Sequence, residues 1–536
     1  MPWHGPEYEG EFPSLGHELV QWYEAYLVHG PGDVLGEPIV IDDEFYEFLV
    51  RAYRLDPESG SRVYRRAFLS RPKGRAKSEL AGELVCGEAL APVRFAGWDA
   101  NGNPVGRPVR SPFIRCLATE EGQSGNTFDN VSVMMAHIAD KHGDEFPGID
   151  FGRSAQSSSR VMLHAQHGEI VPSTASGAAK DGGKETFAVF DETHLYVLPE
   201  LRRMHDVVRR NLRKRRAAEP WCLETSTMYR PGEDSVAEKT HAYAQAIAEG
   251  RVKERGLLFD HRQGPVDTDL ADRDSLMRGL REAYGPASDW MDLDGIIAEI
   301  WDPQSDPADS RRYWLNQPAD AEDALVTAAE WDACYLDDLL VPGDEITLGF
   351  DGSKSDDATV LVAMRVEDRF ATVIAAQEKD PSNPAWQVDR EFFDGMVASM
   401  FAQYRVVGFY SDVAHFESYV DRWSAEYAGE LQVKASPQSV VGWDMRTRQQ
   451  LLTFATERTV AAIRDGSLKH DGGQLFRRHV LNARRRPNRY GISFGKERKG
   501  STRKVDAFAA LQLADMARAD FMTAESKVRK RTGKVW

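Results

Sequence analysis

The stretch SRPKGRAKSE, Ser70 to Glu79, follows a strand-like apolar run and opens a helix-like one. A loop that cradles phosphates needs inward-facing backbone N–H groups, a lysine that reaches the β- and γ-oxygens, and a hydroxyl at the helix start for Mg²⁺. Lys77 and Ser78 supply the last two, and Pro72 with Gly74 suits a turn. The usual glycines of G-x-x-x-x-G-K-[ST] are missing: Arg71 stands near the first, and Arg75 is followed by Ala76 at the last. A side chain at Ala76 is expected to crowd a tight loop. Further on, Phe187 to Phe190 run straight into Asp191 and Glu192. An acid ending a buried strand can hold Mg²⁺, and the next can polarise an attacking water. A third apolar run, WCLETST, ends in Thr225, Ser226 and Thr227, hydroxyls placed to sense a γ-phosphate.

A second constellation consists of aspartates. Asp351 closes ITLGFD, Asp412 closes VVGFYSD, and Asp506 starts the helical pattern DAFAALQLADMARAD. A hairpin strand, a later parallel strand and a C-terminal helix, each bringing one aspartate, match an RNase H-like layout. Two Mg²⁺ or Mn²⁺ ions about 4 Å apart need such shared carboxylates. Asp515 lies nine positions after Asp506, about 180° around a helix, so the two cannot face the same ions. Ala507, Ala509 and Ala510 favour Asp506, because small residues allow close packing on a sheet. Asp356 and Asp357 read as solvated turn acids and His415 as structural.

The elements that must position these residues follow from the pattern of apolar runs. Residues 1–55 read as a helical lead-in. Over 56–260, short strands alternate with helices, which predicts an α/β domain with a parallel sheet around the phosphate-loop pattern. Residues 261–340 read as a helical connector, 341–522 as a second α/β domain of the nuclease type, and 523–536 as a basic tail. No internal repeat is present.

At 536 residues the chain exceeds a single core. Its four cysteines form no C-x-x-C pair, which excludes a structural zinc site of that kind. No apolar run reaches the roughly 20 residues of a membrane span, and the N-terminus lacks the pattern of a signal peptide. A net charge of −17 argues against a protein coated in nucleic acid. Three basic clusters stand out locally: RRMHDVVRRNLRKRR from Arg202, RRHVLNARRRPNR from Arg477, and the C-terminal KVRKRTGKVW.

With RPKGRAKS, AVFDETH and LETST preceding three ordered aspartates, the chain resembles the large terminase subunit of tailed bacteriophages, of the actinobacteriophage type, over roughly residues 15–520. Ala76 departs from that family's pattern. The resemblance implies an ASCE-type P-loop ATPase, a helical connector and an RNase H-like nuclease. ATP hydrolysis would drive double-stranded DNA into a procapsid, and a two-metal endonuclease would cut concatemeric DNA. Lys77 and Ser78 would bind ATP and Mg²⁺ within the loop formed by Arg71, Gly74, Arg75 and Ala76. Asp191 would hold that Mg²⁺, Glu192 would be the base, and Thr225, Ser226 and Thr227 would couple hydrolysis to movement. Asp351, Asp412 and Asp506 would hold the nuclease ions. An arginine, Arg71 or Arg75, would complete a site in a homo-oligomeric ring. Implied partners are the portal protein and a small terminase subunit, with action in the cytoplasm of the infected host and no lasting place in the virion. Two other readings remain at this level: a nuclease with an inactive P-loop domain, motivated by Ala76, and an assembly protein that docks on a portal through its basic tail.

Overall fold

A computed structural model gives the fold. It describes the chain apart from residues 1–2, 120, 153–159, 174–182, 253–255, 320–322, 354–357, 380–385, 497–502 and 533–536, and apart from the side chains of 121–126 and 525–532. The chain divides into two compact units, 1–230 with 235–319 and 231–234 with 320–536.

In the first unit, the central strands of the sheet are short runs buried on both faces, as a parallel sheet between helical layers requires, and the outer strands are only partly buried. They are β1 (Arg66–Ser70), β4 (Phe113–Leu117), β5 (Ile149–Gly152), β6 (Arg160–Leu163), β7 (Gly168–Ser173), β8 (Phe187–Phe190), β9 (Trp221–Ser226) and β10 (Leu257–His261), while β2 (Arg94–Trp98) and β3 (Pro104–Arg107) form a separate hairpin. The main sheet has the order β10-β1-β9-β8-β4-β7-β6-β5. Its first six strands are parallel, and β6 is antiparallel to both neighbours. Strand β9 thus lies between the phosphate-loop strand and the strand ending at Asp191, the ASCE arrangement. Helices α1 (Gly16–Tyr26), α2 (Asp43–Ala52), α3 (Lys77–Leu90) and α4 (Glu121–Lys141) share one core with the sheet through Leu19, Phe48, Leu84 and Val131. Helix α5 (Pro199–Asn211) packs Met204 and Val208 against Phe190 and Leu117 in a second cluster. Helix α6 (Val236–Ala248) leads on to β10.

The expected connector divides between the units. Helices α7 (Arg273–Tyr284), α8 (Leu293–Ile300) and α9 (Pro307–Trp314) belong to the first, packed around Leu276, Leu280 and Ile297. They are tied to the phosphate loop: Tyr284 donates to the Lys73 carbonyl at 2.7 Å, and the Lys73 N–H donates to the Tyr313 carbonyl at 2.8 Å. Residues from 323 onward, including α10 (Ala328–Asp332), fall in the second unit.

The second unit has a six-stranded sheet of β11 (Glu345–Asp351), β12 (Thr359–Arg365), β13 (Phe370–Gln377), β14 (Arg405–Asp412), β15 (Gly442–Trp443) and β16 (Lys469–His470), in the order β15-β14-β11-β12-β13-β16. Strands β11, β12 and β13 form an antiparallel meander, and β14 joins β11 in parallel on its other edge. This is the RNase H-like order. Helices α11 (Arg390–Gln403) and α12 (Glu417–Glu426) bury Phe393, Val397, Val420 and Trp423 with Ile346, Leu348 and Phe350. Helices α13 (Gln449–Arg464), α14 (Gln474–Leu481) and the long α15 (Asp506–Thr532) share another cluster with Val360 and Val362. A hairpin of β17 (Arg484–Asn488) and β18 (Gly491–Gly495) completes the unit.

Candidate active sites

The loop after β1 turns through Gly74 at φ +85° and enters α3 from Ala76, which adopts the left-handed conformation at φ +54°. The sequence expectation of crowding at Ala76 is therefore replaced by a backbone demand: the position asks for a glycine-like φ, which costs an alanine roughly 1 kcal/mol. Lys77, 4 % exposed, folds back so that its Nζ donates to the carbonyls of Arg71 (3.2 Å) and Pro72 (3.1 Å) and to Thr227 Oγ1 (3.3 Å), with Glu192 Oε1 at 3.6 Å. Ser78 Oγ donates to Asp191 Oδ2 at 3.0 Å. The hydroxyl and the carboxylate read from sequence as Mg²⁺ ligands are thus neighbours.

Register explains how the third strand enters. Ser70 pairs with Ser226 and Phe190 with Glu224, so the residue after each strand end meets β9 hydroxyls. Thr225 Oγ1 donates to Asp191, and Thr227 Oγ1 lies between Lys77 and Glu192, 3.5 Å from Glu192 Oε2. Ser226 accepts the His194 N–H at 3.2 Å. Burial raises the Asp191 carboxyl above its usual range and the Glu192 charge adds to this, against hydrogen bonds from Thr225, Thr127 and Ser78. A buried carboxylate beside a hydroxyl is an oxygen donor set suited to Mg²⁺. Burial also disfavours the Glu192 anion, but Lys77 and His194 outweigh it and hold the carboxyl well below the usual range. Glu192 sits at φ +53°, an uncommon backbone state of the kind found at functional sites.

Two residues here were missed in the sequence. Thr127 on α4 donates to Asp191 at 2.8 Å, and nothing in its local pattern marks it. His194 Nδ1 lies 3.1 Å from Glu192 Oε2, and its place two residues after Glu192 was the available signal.

Arg71 and Arg75 are turned away from the phosphate-facing side. Arg71 pairs with Glu44 at 2.7 Å and Asp260 at 2.5 Å; Arg75 pairs with Asp42 at 2.6 Å and Glu44 at 2.9 Å and lies over the Phe45 ring. At 2 % and 1 % exposed, neither offers its guanidinium to a neighbouring subunit. They brace the loop against α2 instead, so the expectation of a ring-completing arginine is not met by either.

In the second unit, Phe350 pairs with Ser411 in the parallel register, which puts Asp351 beside Asp412. Helix α15 runs over β11 at very short range. Thr347 donates to the Ala514 carbonyl at 2.9 Å, and a Cβ on Gly349 would stand 1.9 Å from the Ala510 carbonyl oxygen. Two residues along a strand cover about 6.6 Å and four along a helix about 6 Å. Stepping on from Gly349 and back from Ala510 therefore brings Asp351 and Asp506 to the same edge. Ala507, Ala509 and Ala510 are buried there, as close packing demands. Asp506 is 5 % and Asp412 8 % exposed, and burial raises the Asp412 carboxyl although the Met445 N–H bonds to it.

Three carboxylates are hard oxygen ligands and fit Mg²⁺ or Mn²⁺ in kind. Among the described residues, no three His, Cys, Asp or Glu groups already stand in a metal-holding arrangement. Asp515 is buried against Arg369 (3.2 Å), Arg458 (3.3 Å) and Thr459 (3.1 Å), a structural ion pair cluster. His415 is exposed at a left-handed turn. Asp356 and Asp357 lie outside the described residues, as do the side chains of the basic tail beyond Glu525.

A positioning pair escaped the sequence reading. His479 Nδ1 accepts the Ala507 N–H at 3.1 Å, so its proton is on Nε2, which faces Glu378 Oε1 at 2.9 Å. Burial opposes ionisation of Glu378, but His479 and Arg478 bring its carboxyl down to about 2.

A P-loop ATPase unit and an RNase H-like unit in one chain define the large terminase class of fold. No known family profile matches the sequence. The gene 13 proteins of Mycobacterium phages L5 and D29 are each 33 % identical to it over 585 aligned positions, covering 99 % of this chain and 94 % of theirs. The crystal structure of the bacteriophage HK97 large terminase matches with a TM-score of 0.50 at 15 % identity, over 94 % of this chain and all of that one. The chain belongs to the family of the mycobacteriophage gene 13 proteins and has the fold of the HK97 large terminase.

Proposed function

We propose that this chain is a large terminase subunit that hydrolyses ATP to move double-stranded DNA into a procapsid and cuts concatemeric DNA at a separate nuclease site. The observation that carries the reading is the Ser78–Asp191 contact beside the Lys77–Glu192 pair. Lys77 now bonds to two loop carbonyls, and phosphate oxygens would take their place. Glu192, held ionised, accepts the proton of the attacking water. Thr227 touches both of these side chains, so loss of the γ-phosphate alters its contacts and, through β9, the sheet. Mg²⁺ on Ser78 and Asp191 would neutralise phosphate charge.

In the second unit, Asp351, Asp412 and Asp506 would hold two Mg²⁺ or Mn²⁺ ions, which supply Lewis acidity for phosphodiester hydrolysis. Water adds to phosphorus, the P–O3′ bond breaks and the 3′-oxygen leaves with a proton. On this reading its partners would be a homo-oligomeric ring of copies, the portal protein and a small terminase subunit, in the cytoplasm of the infected cell. Among the described residues, no helix is long and apolar enough to cross a membrane.

Asp351→Ala should abolish Mn²⁺- or Mg²⁺-dependent cutting of plasmid DNA while ATP turnover survives. Loss of both activities in a folded variant would contradict separate sites.

A further inference from the structure

The three basic clusters of the sequence have different fates. The one from Arg477 is largely spent on internal ion pairs: Arg477 on Asp332, Arg478 on Glu378 and Asp234, and Arg484 and Arg486 on Asp323. This leaves Arg485 and Arg489 exposed on the β17–β18 hairpin without an ion pair among the described residues. The tail lies outside the described side chains. The cluster in the first unit is different. From the end of α5 it continues through two single 3₁₀ turns, 212–214 and 216–218, and lines a cavity of about 680 Å³. The cavity opens at the N-terminal edges of β1, β9 and β10, where Arg66, Cys222 and Leu257 contribute. The nucleotide loop is at the other end of β1, about 15 Å away along five strand residues.

Six arginines line this cavity and Asp206 is its one lining acid. Arg66 is neutralised by buried Glu224 at 2.6 Å, and Arg65 has Glu219 at 3.9 Å. Arg210, Arg213 and Arg216 are exposed and have no ion pair among the described residues. A second cavity, of about 460 Å³, shares Arg216 and adds Arg107, Arg110 and Lys214. A helix C-terminus attracts one or two cations through its dipole, but that does not explain two adjoining arginine-lined cavities in a chain of net charge −17. The span from Arg210 to Arg216 is roughly 9–12 Å at helical rises. That exceeds one phosphate group and covers about three nucleotides of one strand at 3.4 Å each.

We propose that the Arg210–Arg213–Arg216 face is a binding site for the phosphodiester backbone of DNA, on the edge of the ATPase sheet remote from the nucleotide. The site rests on the packaging reading in taking DNA as the polyanion. Its contacts go to phosphates, so it holds DNA without reading sequence.

The test is the salt dependence of duplex DNA affinity, measured on the full chain, for wild type and for the triple variants Arg210→Ala/Arg213→Ala/Arg216→Ala and Arg210→Lys/Arg213→Lys/Arg216→Lys. The exposed positions leave folding intact, checked by thermal melting. The alanine variant should bind about 10- to 100-fold more weakly at low salt, and the slope of log K against log salt should flatten by about 2 to 3, at about 0.9 per phosphate contact. The lysine variant should keep most of both. Wild-type affinity and slope in the alanine variant would overturn this site and leave the packaging reading standing. No DNA binding by the wild type would overturn both. Competition by inorganic phosphate, beyond a chloride control of equal ionic strength, would reassign the cavity to a single phosphate group and overturn the proposal.

Discussion

Ala76 shows how a departure from a sequence pattern is tolerated. Its left-handed backbone costs roughly 1 kcal/mol, while glycine there would lose more entropy on folding and the methyl contact with the core. Ala76→Gly should therefore raise stability by only about 0.5 kcal/mol and leave nucleotide affinity at or above that of the wild type, read by denaturant melts and nucleotide titration. A loss of more than 1 kcal/mol would show that the methyl packing outweighs the strain. His241 makes a separate demand. Its ring lies edge-on to Phe68, Phe259 and Tyr229, and its Nε2 has no hydrogen-bond partner among the described residues. Burial first, and then His261, holds it down to about 3 from 6.5. The unfolded chain then binds the extra proton as pH falls below 6.5, so stability drops through the window between the two values. At about 1.36 kcal/mol per unit this amounts to roughly 3 kcal/mol by pH 4. His241→Phe should shrink the loss between pH 7 and pH 4 by up to that amount in denaturant melts, and an unchanged loss would remove His241 as a source of acid sensitivity.

Among the elements, strands were the most legible in the sequence. FAVF, WCLETS and the run ending at Asp351 are buried and read directly as strands ending in chemistry. Contacts made between distant elements were not legible. Thr127 reaches Asp191 from α4, and Asp42 and Glu44 capture Arg71 and Arg75 from α2. These pairings depend on how helices settle over the sheet, which local spacing does not encode. For the same reason, the stretch read as a connector supplies the braces at Lys73. Helical periodicity separates the faces of Asp506 and Asp515 on α15, and Asp515 is bound to arginines. Gly349 carries that geometry. Gly349→Ala would press a methyl into the α15 backbone, costing about 3 kcal/mol or more and displacing Asp506, so that DNA cutting falls together with the thermal stability of the second unit. Wild-type stability in this variant would contradict the close approach.

At the scale of the whole molecule, two compact units each carry one constellation, and their order along the chain was readable before the fold was known. Their boundaries were less so, because the helices of 273–314 pack into the first unit. The large terminase fold and the 33 % identity to the mycobacteriophage gene 13 proteins make the chain a member of that family, and the proposal that it is a motor rests on the first unit. The most direct test is ATP binding and steady-state turnover by purified wild type beside Glu192→Gln, with Mg²⁺ and linear duplex DNA. The account predicts that both bind ATP with similar affinity and that turnover in the variant falls by about 10²-fold or more. Wild-type turnover in Glu192→Gln, or a wild-type chain that binds no ATP, would contradict it.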